Sequence, residues 1–262
     1  MISVDNKILI KKQQKVNKTI IFAKDMLWML LMFAFIPPLI YLIWIRNTEK
    51  YEREPWIPLL FTFLWGATIA VIAAFILETL LAIQLMDFIE NGDTLTITLG
   101  IIVAPIVEEF TKPLALTTNL VKKNINELED GLVYGAVAGL GFSAMENLLY
   151  GIKFYNEGIW VLLALFYTRT IGCCLLHASA TALTGYGYSK KLLQGGSIMN
   201  VIHFFIIATA AHSLYNIFAF SSALTGQIIG VTAAVAFALI SITWVRKKIK
   251  TFDLAEKELK ND

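Results

Sequence analysis

The sequence predicts an all-α membrane protein, a polytopic bundle of about seven transmembrane helices. Of its 262 residues, 57% are hydrophobic and only 16% are charged, and the mean hydropathy is +0.65. A soluble domain typically has about 45–50% apolar and about 25% charged residues. Long apolar runs also recur along the chain, and each approaches the roughly 20 residues that cross a bilayer. These observations exclude an ordinary soluble enzyme and a disordered chain.

Seven apolar runs are long enough to form the spans of this bundle. The connections between them are short and polar, so neighbouring spans are expected to pack antiparallel in one domain. Glycines four residues apart in the fourth span, Gly131, Gly135 and Gly139, predict a close helix contact. The predicted spans are 26–45, 57–86, 94–121, 131–151, 159–188, 200–220 and 223–245.

These runs divide the chain into a basic N-terminal tail (1–25), one transmembrane domain (26–245) and a charged C-terminal tail (246–262). The first apolar run follows a lysine-rich segment, and no small-residue cleavage pattern comes after it. It therefore does not match a cleavable signal peptide, and the first helix is expected to remain in the mature protein.

The basic residues of the loops alternate along the chain. The first, third and fifth loops and the C-terminal tail carry more Lys and Arg than the other loops, which predicts that they lie in the cytoplasm. The N-terminus would then lie outside, although its tail is also rich in lysine. An amphipathic surface helix or an eighth membrane-embedded element would reconcile the two signals. The tail lysines are Lys7, Lys11, Lys12, Lys15, Lys18 and Lys24.

Two further classes of function are disfavoured by the composition. The net charge of +2 is small, and the basic residues lie mainly at the chain ends, so nucleic-acid binding is not expected. Cys173 and Cys174 are the only cysteines. As helix neighbours they cannot adopt ordinary disulfide geometry, and two thiols alone do not make a metal site.

Charged residues within the spans are the strongest functional signal. An ionisable group at membrane depth costs a few kcal/mol, which makes each one a candidate for function. Glu78 lies late in the second span and is interpreted as a boundary residue whose carboxylate reaches the interface. The six such residues are Glu78, Glu108, Glu109, Lys112, Glu146 and Arg169.

Three of these charges lie together near the middle of the third span. Lys112 follows Glu108 by four residues and shares its helix face. Two adjacent carboxylates in a low dielectric cannot both ionise cheaply, so one could act as a general acid or base. A structural Glu108–Lys112 ion pair is the alternative, but it leaves Glu109 unbalanced. Pro105 and Pro113 flank the group and are expected to kink the helix.

Polar residues on three more spans extend this pattern. Arg169 and His177 are eight residues apart and lie within about 80° of each other around one helix. Such groups bind metals or activate water, so the cluster indicates either hydrolysis or the passage of protons or cations. His203 is expected at the interface. The remaining polar residues are Glu146 and Asn147 in the fourth span, and His212 and Asn216 on one face of the sixth.

Four motifs in sequence order resemble the PrsW family of intramembrane proteases, within the wider group of membrane-embedded CAAX-prenyl-protease and bacteriocin-processing-like enzymes. The resemblance runs from Tyr51 to about Phe218. The family's E-E-x-x-K motif matches Glu108 to Lys112, whereas prenyl-protease relatives carry an Arg one position later, which favours the PrsW branch. The other matching segments are Glu54-Pro55, Asp130 to Gly135 with Glu146-Asn147, His177 after Arg169, and His212 with Asn216.

The resemblance implies an intramembrane endopeptidase of a prokaryotic cell membrane. It implies four catalytic residues, Glu108, Glu109, His177 and His212. It also implies that Glu146 and Asn216 bind water, metal or substrate. Lys112, Asn147 and Arg169 are expected to support the site or contact substrate.

Two hydrolytic mechanisms are compatible with these residues. In the first, Glu108 or Glu109 activates a water directly and no metal is needed. In the second, a divalent metal such as zinc is held by His177, His212 and Glu108. The spans contain no H-E-x-x-H motif, so the metal ligands would have to come from separate helices.

The expected substrate is a single-pass membrane protein that reaches the site from the lipid bilayer, and relatives that cleave anti-sigma factors suggest regulated intramembrane proteolysis. A proton or cation transporter is the alternative from another class, although no inverted repeat is visible. A non-catalytic scaffold that binds helices is a third interpretation.

Overall fold

The computed structural model describes residues 4–225 and 227–261, with side chains described over 24–220, 228–255 and 257–258. Within this part of the chain all regular structure is helical, and seven helices are long and apolar enough to cross a membrane. The predicted fold class is therefore confirmed. The spans are Lys24–Arg46, Trp56–Met86, Gly92–Thr117, Leu128–Glu157, Ile159–Leu193, Ile198–Phe220 and Ile228–Ala255.

Several spans change helix type along their length. Short π-helical or 3-10 segments interrupt the second, third, fourth and fifth spans, and the remaining segments are α-helical. The segments are Val4–Arg46; Trp56–Trp65, Gly66–Ala70 (π) and Val71–Met86; Gly92–Thr98, Leu99–Val103 (π), Ala104–Thr111 and Lys112–Thr117 (3-10); Asn119–Lys122; Leu128–Phe154 and Tyr155–Glu157 (3-10); Ile159–Thr168, Arg169–Cys173 (π) and Cys174–Leu193; Ile198–Thr225; and Gln227–Asn261.

Two predicted span boundaries are wrong. The third span ends at Thr117 rather than at residue 121, because the helix tightens to 3-10 geometry around Pro113 and Thr118 is extended. The last span does not begin at residue 223. That position belongs to the preceding helix, Ile198–Thr225, and the last helix starts at Gln227.

The backbone of the N-terminal region forms one helix, Val4–Arg46, that continues into the first span. Only Lys24–Arg46 of this helix is a candidate span, so the described residues contain no separate eighth span. The side chains of Lys7, Lys11, Lys12, Lys15 and Lys18 lie outside the described ones. Whether the tail has an amphipathic face therefore stays a prediction.

The C-terminal helix continues beyond the predicted boundary at residue 245. Ile249 and Asp253 are buried on it. The Asp253 carboxylate accepts the backbone N–H groups of Lys50 at 3.0 Å and Tyr51 at 3.2 Å. The charged C-terminal segment is thus helical and packs on the first loop, residues 47–55.

The fourth span lies at the centre of the bundle, with most of its residues buried. Its glycine stripe packs on the fifth span, as predicted. A Cβ atom at Gly139 would overlap the carbonyl oxygen of His177, and one at Gly135 would lie 2.5 Å from the carbonyl oxygen of Thr181. This close approach brings His177 of the fifth span beside the end of the fourth span that carries Glu146.

Replacing Gly139 by alanine is expected to destabilise the bundle by about 1–3 kcal/mol, because the added methyl forces two packed backbones apart. The measurement is unfolding of the purified protein in mixed micelles. Gly92→Ala is the matched control, since a Cβ at that position meets nothing within 4 Å. Equal stability of the two variants would contradict the close contact.

Candidate active site

A cavity of about 450 Å³ lies among the second to seventh spans. Several charged or titratable side chains from different spans reach its wall. They are Glu78, Glu108, Glu146, Arg169, His177 and His212. The cavity therefore gathers groups from four of the sequence motifs.

Lys112 is the centre of the buried charge network. Its side chain is fully buried, and its Nζ donates to Glu108 Oε2 at 2.8 Å and to Glu109 Oε1 at 2.9 Å. The third contact of Nζ is with His177 Nδ1, also at 2.8 Å. The ammonium lies 4.3 Å from the centroid of the Phe142 ring. All three ammonium protons thus have acceptors, and the predicted pairing of Lys112 with Glu108 is confirmed.

The hydrogen-bond network assigns the tautomers of both histidines. His177 Nδ1 accepts from the Lys112 ammonium, so its proton lies on Nε2, which donates to Glu146 Oε2 at 3.0 Å. His212 Nδ1 donates to Glu109 Oε1 at 3.0 Å. The lone pair of His212 is therefore on Nε2, which lies 4.0 Å from Glu108 Oε2.

The two adjacent glutamates have different surroundings. Glu109 is fully buried; its Oε1 accepts from Lys112 and His212, and its Oε2 accepts the Thr181 hydroxyl at 2.8 Å. Glu108 is 7% exposed and lines the cavity, whereas Glu109 is not part of the cavity wall. Of this pair, Glu108 is the carboxylate that a bound water or substrate can reach.

Arg169 and His177 converge on Glu146, a contact that the sequence did not predict. Arg169 Nη2 lies 2.8 Å from Glu146 Oε2, and its Nε donates to Asn147 Oδ1 at 2.8 Å. Asn147 is fully buried. It therefore orients the guanidinium rather than contacting the cavity itself. The Arg169 guanidinium also lies 4.0 Å from the centroid of the Tyr150 ring.

Asn216 lines the cavity, and its Nδ2 donates to the Gly100 carbonyl oxygen at 2.8 Å. That carbonyl lies in the π-helical segment Leu99–Val103. Glu78 also lines the cavity, in contrast to the boundary position that was expected from its sequence position. His203 is exposed, as expected.

Sequence reasoning missed several contributors to the site. Thr181 and Phe142 contact the charge network, and Cys173 lines the cavity beside Glu146 and His177. Cys173 lies in one of the three π-helical segments, a feature that is often found at functional sites. Each π segment contains a glycine, which is a local signal that could have drawn attention to them.

The residues at the cavity fit a catalytic zinc ion. Glu108, His177 and His212 each offer a donor atom within 4.8 Å of the others. Two imidazoles and a carboxylate are a common ligand set of catalytic zinc. The bond from His212 Nδ1 to Glu109 leaves Nε2 directed toward Glu108, the carboxylate–histidine arrangement that orients metal ligands. The contact between Lys112 and His177 Nδ1 would have to give way for that nitrogen to bind a metal.

Comparisons with known proteins match most of this chain. The family model described as PrsW family intramembrane metalloprotease matches residues 54–244, a range that includes all the cavity-lining ionisable residues. Protease PrsW of Clostridioides difficile (strain 630) is 33% identical over 193 residues, which cover 73% of this chain and 78% of that protein. No solved structure matches the chain.

Proposed function

The chain belongs to the PrsW family of intramembrane metalloproteases, and on that premise we propose that Glu108 is the general base of its peptide-bond hydrolysis. The chain is a membrane-embedded endopeptidase, so the transporter and scaffold interpretations are set aside. The observation that carries the proposal is the position of Glu108. It is the carboxylate of the E-E-x-x-K motif that lines the cavity, and two imidazoles face it.

In this proposal Glu108 removes a proton from a water molecule in the cavity and later gives it to the leaving amine. Lys112 stabilises the ionised carboxylate by a hydrogen bond of 2.8 Å. Glu109 acts as a positioning residue, since it holds the Lys112 ammonium and the His212 imidazole in place. His212 Nε2 accepts a hydrogen bond from the water.

The developing oxyanion needs hydrogen-bond donors at the cavity wall. Neither imidazole supplies one, because the free nitrogen of His212 carries a lone pair and the N–H of His177 is bonded to Glu146. Arg169 and Asn216 are among the donors that line the cavity, together with the hydroxyl groups of Tyr150 and Tyr215. The structure favours Arg169 for this role, since the bonds to Glu146 and Asn147 fix its guanidinium.

The family is described as a metalloprotease family, and the finer proposal for this chain is a zinc ion held by Glu108, His177 and His212. Such an ion supplies Lewis acidity and lowers the pKa of a coordinated water. Glu146 and Glu78 would then be the other cavity carboxylates able to accept a proton. The bonds of Glu146 to Arg169 and His177 hold its carboxylate in place.

We propose a membrane-spanning protein, of single-pass type, as the substrate, and regulated intramembrane proteolysis as the process. The cavity lies at membrane depth, and part of its wall is open toward the lipid-facing side. Phe75, for example, lines the cavity and is 71% exposed. A substrate helix could reach Glu108 laterally through this side without leaving the bilayer.

The proposed orientation places the first, third and fifth loops and the C-terminus in the cytoplasm. Contacts at one end of the bundle support it. Asp253 of the C-terminal helix bonds the first loop, Glu54 of that loop bonds Tyr134 of the fourth span, and a Cβ at Gly131 would meet Ser189 near the end of the fifth span. The segments that the charge pattern assigns to one side thus lie together.

Removal of metal tests the zinc proposal. We expect purified protein to contain about one zinc ion per chain. Chelation should lower the rate at which it cleaves a single-pass reporter at least about tenfold, and added zinc should restore that rate. His212→Ala should bind less zinc, whereas His203→Ala, which changes an exposed histidine of the same span, should not. Full activity in a metal-free preparation would contradict the zinc proposal and would leave direct activation of water by Glu108 as the mechanism.

A further inference from the structure

A second group of buried carboxylates lies away from the cavity, where the first loop meets the N-terminal end of the fourth span. Glu49, Glu54 and Asp130 each present an oxygen atom within 4.8 Å of the others. Their exposed fractions are 0%, 4% and 2%. Three carboxylates buried this closely repel one another unless a proton or a cation lies among them.

The neighbouring arginines do not neutralise this cluster. Arg46 Nε donates to the backbone oxygen of Glu54 at 2.7 Å, and Arg53 Nε donates to the backbone oxygen of Glu49 at 2.9 Å. Lys112 and Arg169 form their ion pairs with Glu108, Glu109 and Glu146 instead. The guanidinium groups of Arg46 and Arg53 thus bind backbone carbonyl oxygens. The three carboxylates have no cationic partner among the described side chains.

One carboxylate oxygen of the cluster has no hydrogen bond. Glu49 Oε2 accepts the backbone N–H of Glu54 at 3.2 Å, but Glu49 Oε1 is buried and has no partner. The other two carboxylates are anchored by the protein: Tyr134 donates to Glu54 Oε2, and Asp130 Oδ2 accepts two backbone N–H groups at 2.7 Å. A fully buried carboxylate that has an unpaired oxygen and lies beside two preoriented acids points to a missing cation.

We propose that Glu49, Glu54 and Asp130 bind one hard divalent cation, of the Mg²⁺, Ca²⁺ and Mn²⁺ class. The donors are all oxygen atoms, which these ions prefer and which distinguish the cluster from the His-containing cavity. A cavity of about 390 Å³ that includes Glu54, Asn124 and Asn126 in its wall gives the cation a path from solvent.

Burial determines what the cation must displace. Burial, with a smaller contribution from the nearby Asp130 carboxylate, raises the pKa of Glu49 to about 9 and that of Glu54 to about 10. Without a cation these groups hold protons at neutral pH, and cation binding would release those protons. The cation would tie the first loop to the fourth span, about 24 Å along the helix from Glu146. Binding there is thus separable from binding at the cavity.

The test uses metal-stripped, full-length protein in detergent and measures Mn²⁺ binding by the loss of the free Mn²⁺ signal in electron paramagnetic resonance. We expect one Mn²⁺ site that Mg²⁺ or Ca²⁺ competes for and that persists in His212→Ala. Glu49→Gln should raise the Kd for Mn²⁺ at this site at least about tenfold. Glu90→Gln, at an exposed acid of the second loop, is the matched control and should bind as the wild type does.

Thermal unfolding of the same proteins gives a second readout. Mn²⁺ should raise the Tm of the wild type and of Glu90→Gln but not that of Glu49→Gln. In chelator, the Tm of Glu49→Gln should equal or exceed that of the wild type, because an amide resembles the protonated acid. Asp130→Asn, which keeps an oxygen for the backbone N–H groups, should lose the Mn²⁺ effect in the same way. The proposal is overturned if these variants bind Mn²⁺ as the wild type does, or if all Mn²⁺ binding is lost in His212→Ala.

Discussion

Glu108→Gln is expected to reduce cleavage of a single-pass reporter in proteoliposomes by at least about 100-fold, the usual contribution of a general base. The amide keeps the size of the side chain and can still accept a hydrogen bond from Lys112, so the protein should remain folded. It cannot take a proton from water. The loss should fall on kcat rather than KM, because Glu108 lies at the cavity wall among the reacting groups.

Two variants serve as comparisons for this result. Glu90→Gln changes an exposed acid outside the site and should leave cleavage unchanged. Glu109→Gln should cost less than Glu108→Gln, because its remaining carbonyl oxygen can still accept from Lys112 or His212. If Glu108→Gln cleaves the reporter while Glu109→Gln is inactive, the roles of the two glutamates are exchanged.

Local spacing was sufficient to predict the parts of the site that belong to one helix. Glu108 and Lys112 are four residues apart and form a bond of 2.8 Å, which follows from 3.6 residues per helical turn. Arg169 and His177 both contact Glu146, although the π-helical segment Arg169–Cys173 between them departs from the α-helical angle that the spacing assumes. The seven spans followed in the same way from the length of apolar runs.

The spacing of residues along one helix does not predict contacts between helices. The difference between Glu108 and Glu109 arises because Thr181 and His212, from two other spans, donate hydrogen bonds to Glu109 and not to Glu108. The lone sequence cannot show which neighbour covers which side of a helix. Glu78 was misplaced for the same reason, since its position late in the second span says nothing about the cavity that the other spans form around it.

The C-terminal segment and the first loop illustrate a further limit of prediction from the sequence. The segment after residue 245 is rich in charge and was interpreted as a tail, yet its Asp253 bonds the backbone of Lys50, 203 positions earlier. A hydropathy pattern detects the segment that crosses the membrane but not the continuation of the helix beyond it. The buried acids of the first loop were likewise invisible until the fold placed Glu54 beside Asp130.

Lys112→Met is expected to lower the free energy of unfolding by about 3–5 kcal/mol, the usual cost of removing one partner of a buried ion pair. Lys112 is fully buried and its ammonium bonds Glu108, Glu109 and His177. Methionine fills a similar volume but leaves both carboxylates without their cation. Lys122→Met, at an exposed position of the third loop, is the control and should change stability little.

A double variant separates charge from packing in this effect. Adding Glu109→Gln to Lys112→Met removes one of the two uncompensated carboxylates, so it should recover part of the lost stability, whereas a loss caused by poor packing of methionine would not recover. Denaturation in mixed micelles measures both proteins against the wild type. Wild-type stability of Lys112→Met would mean that Lys112 is not the main counter-charge of the pair.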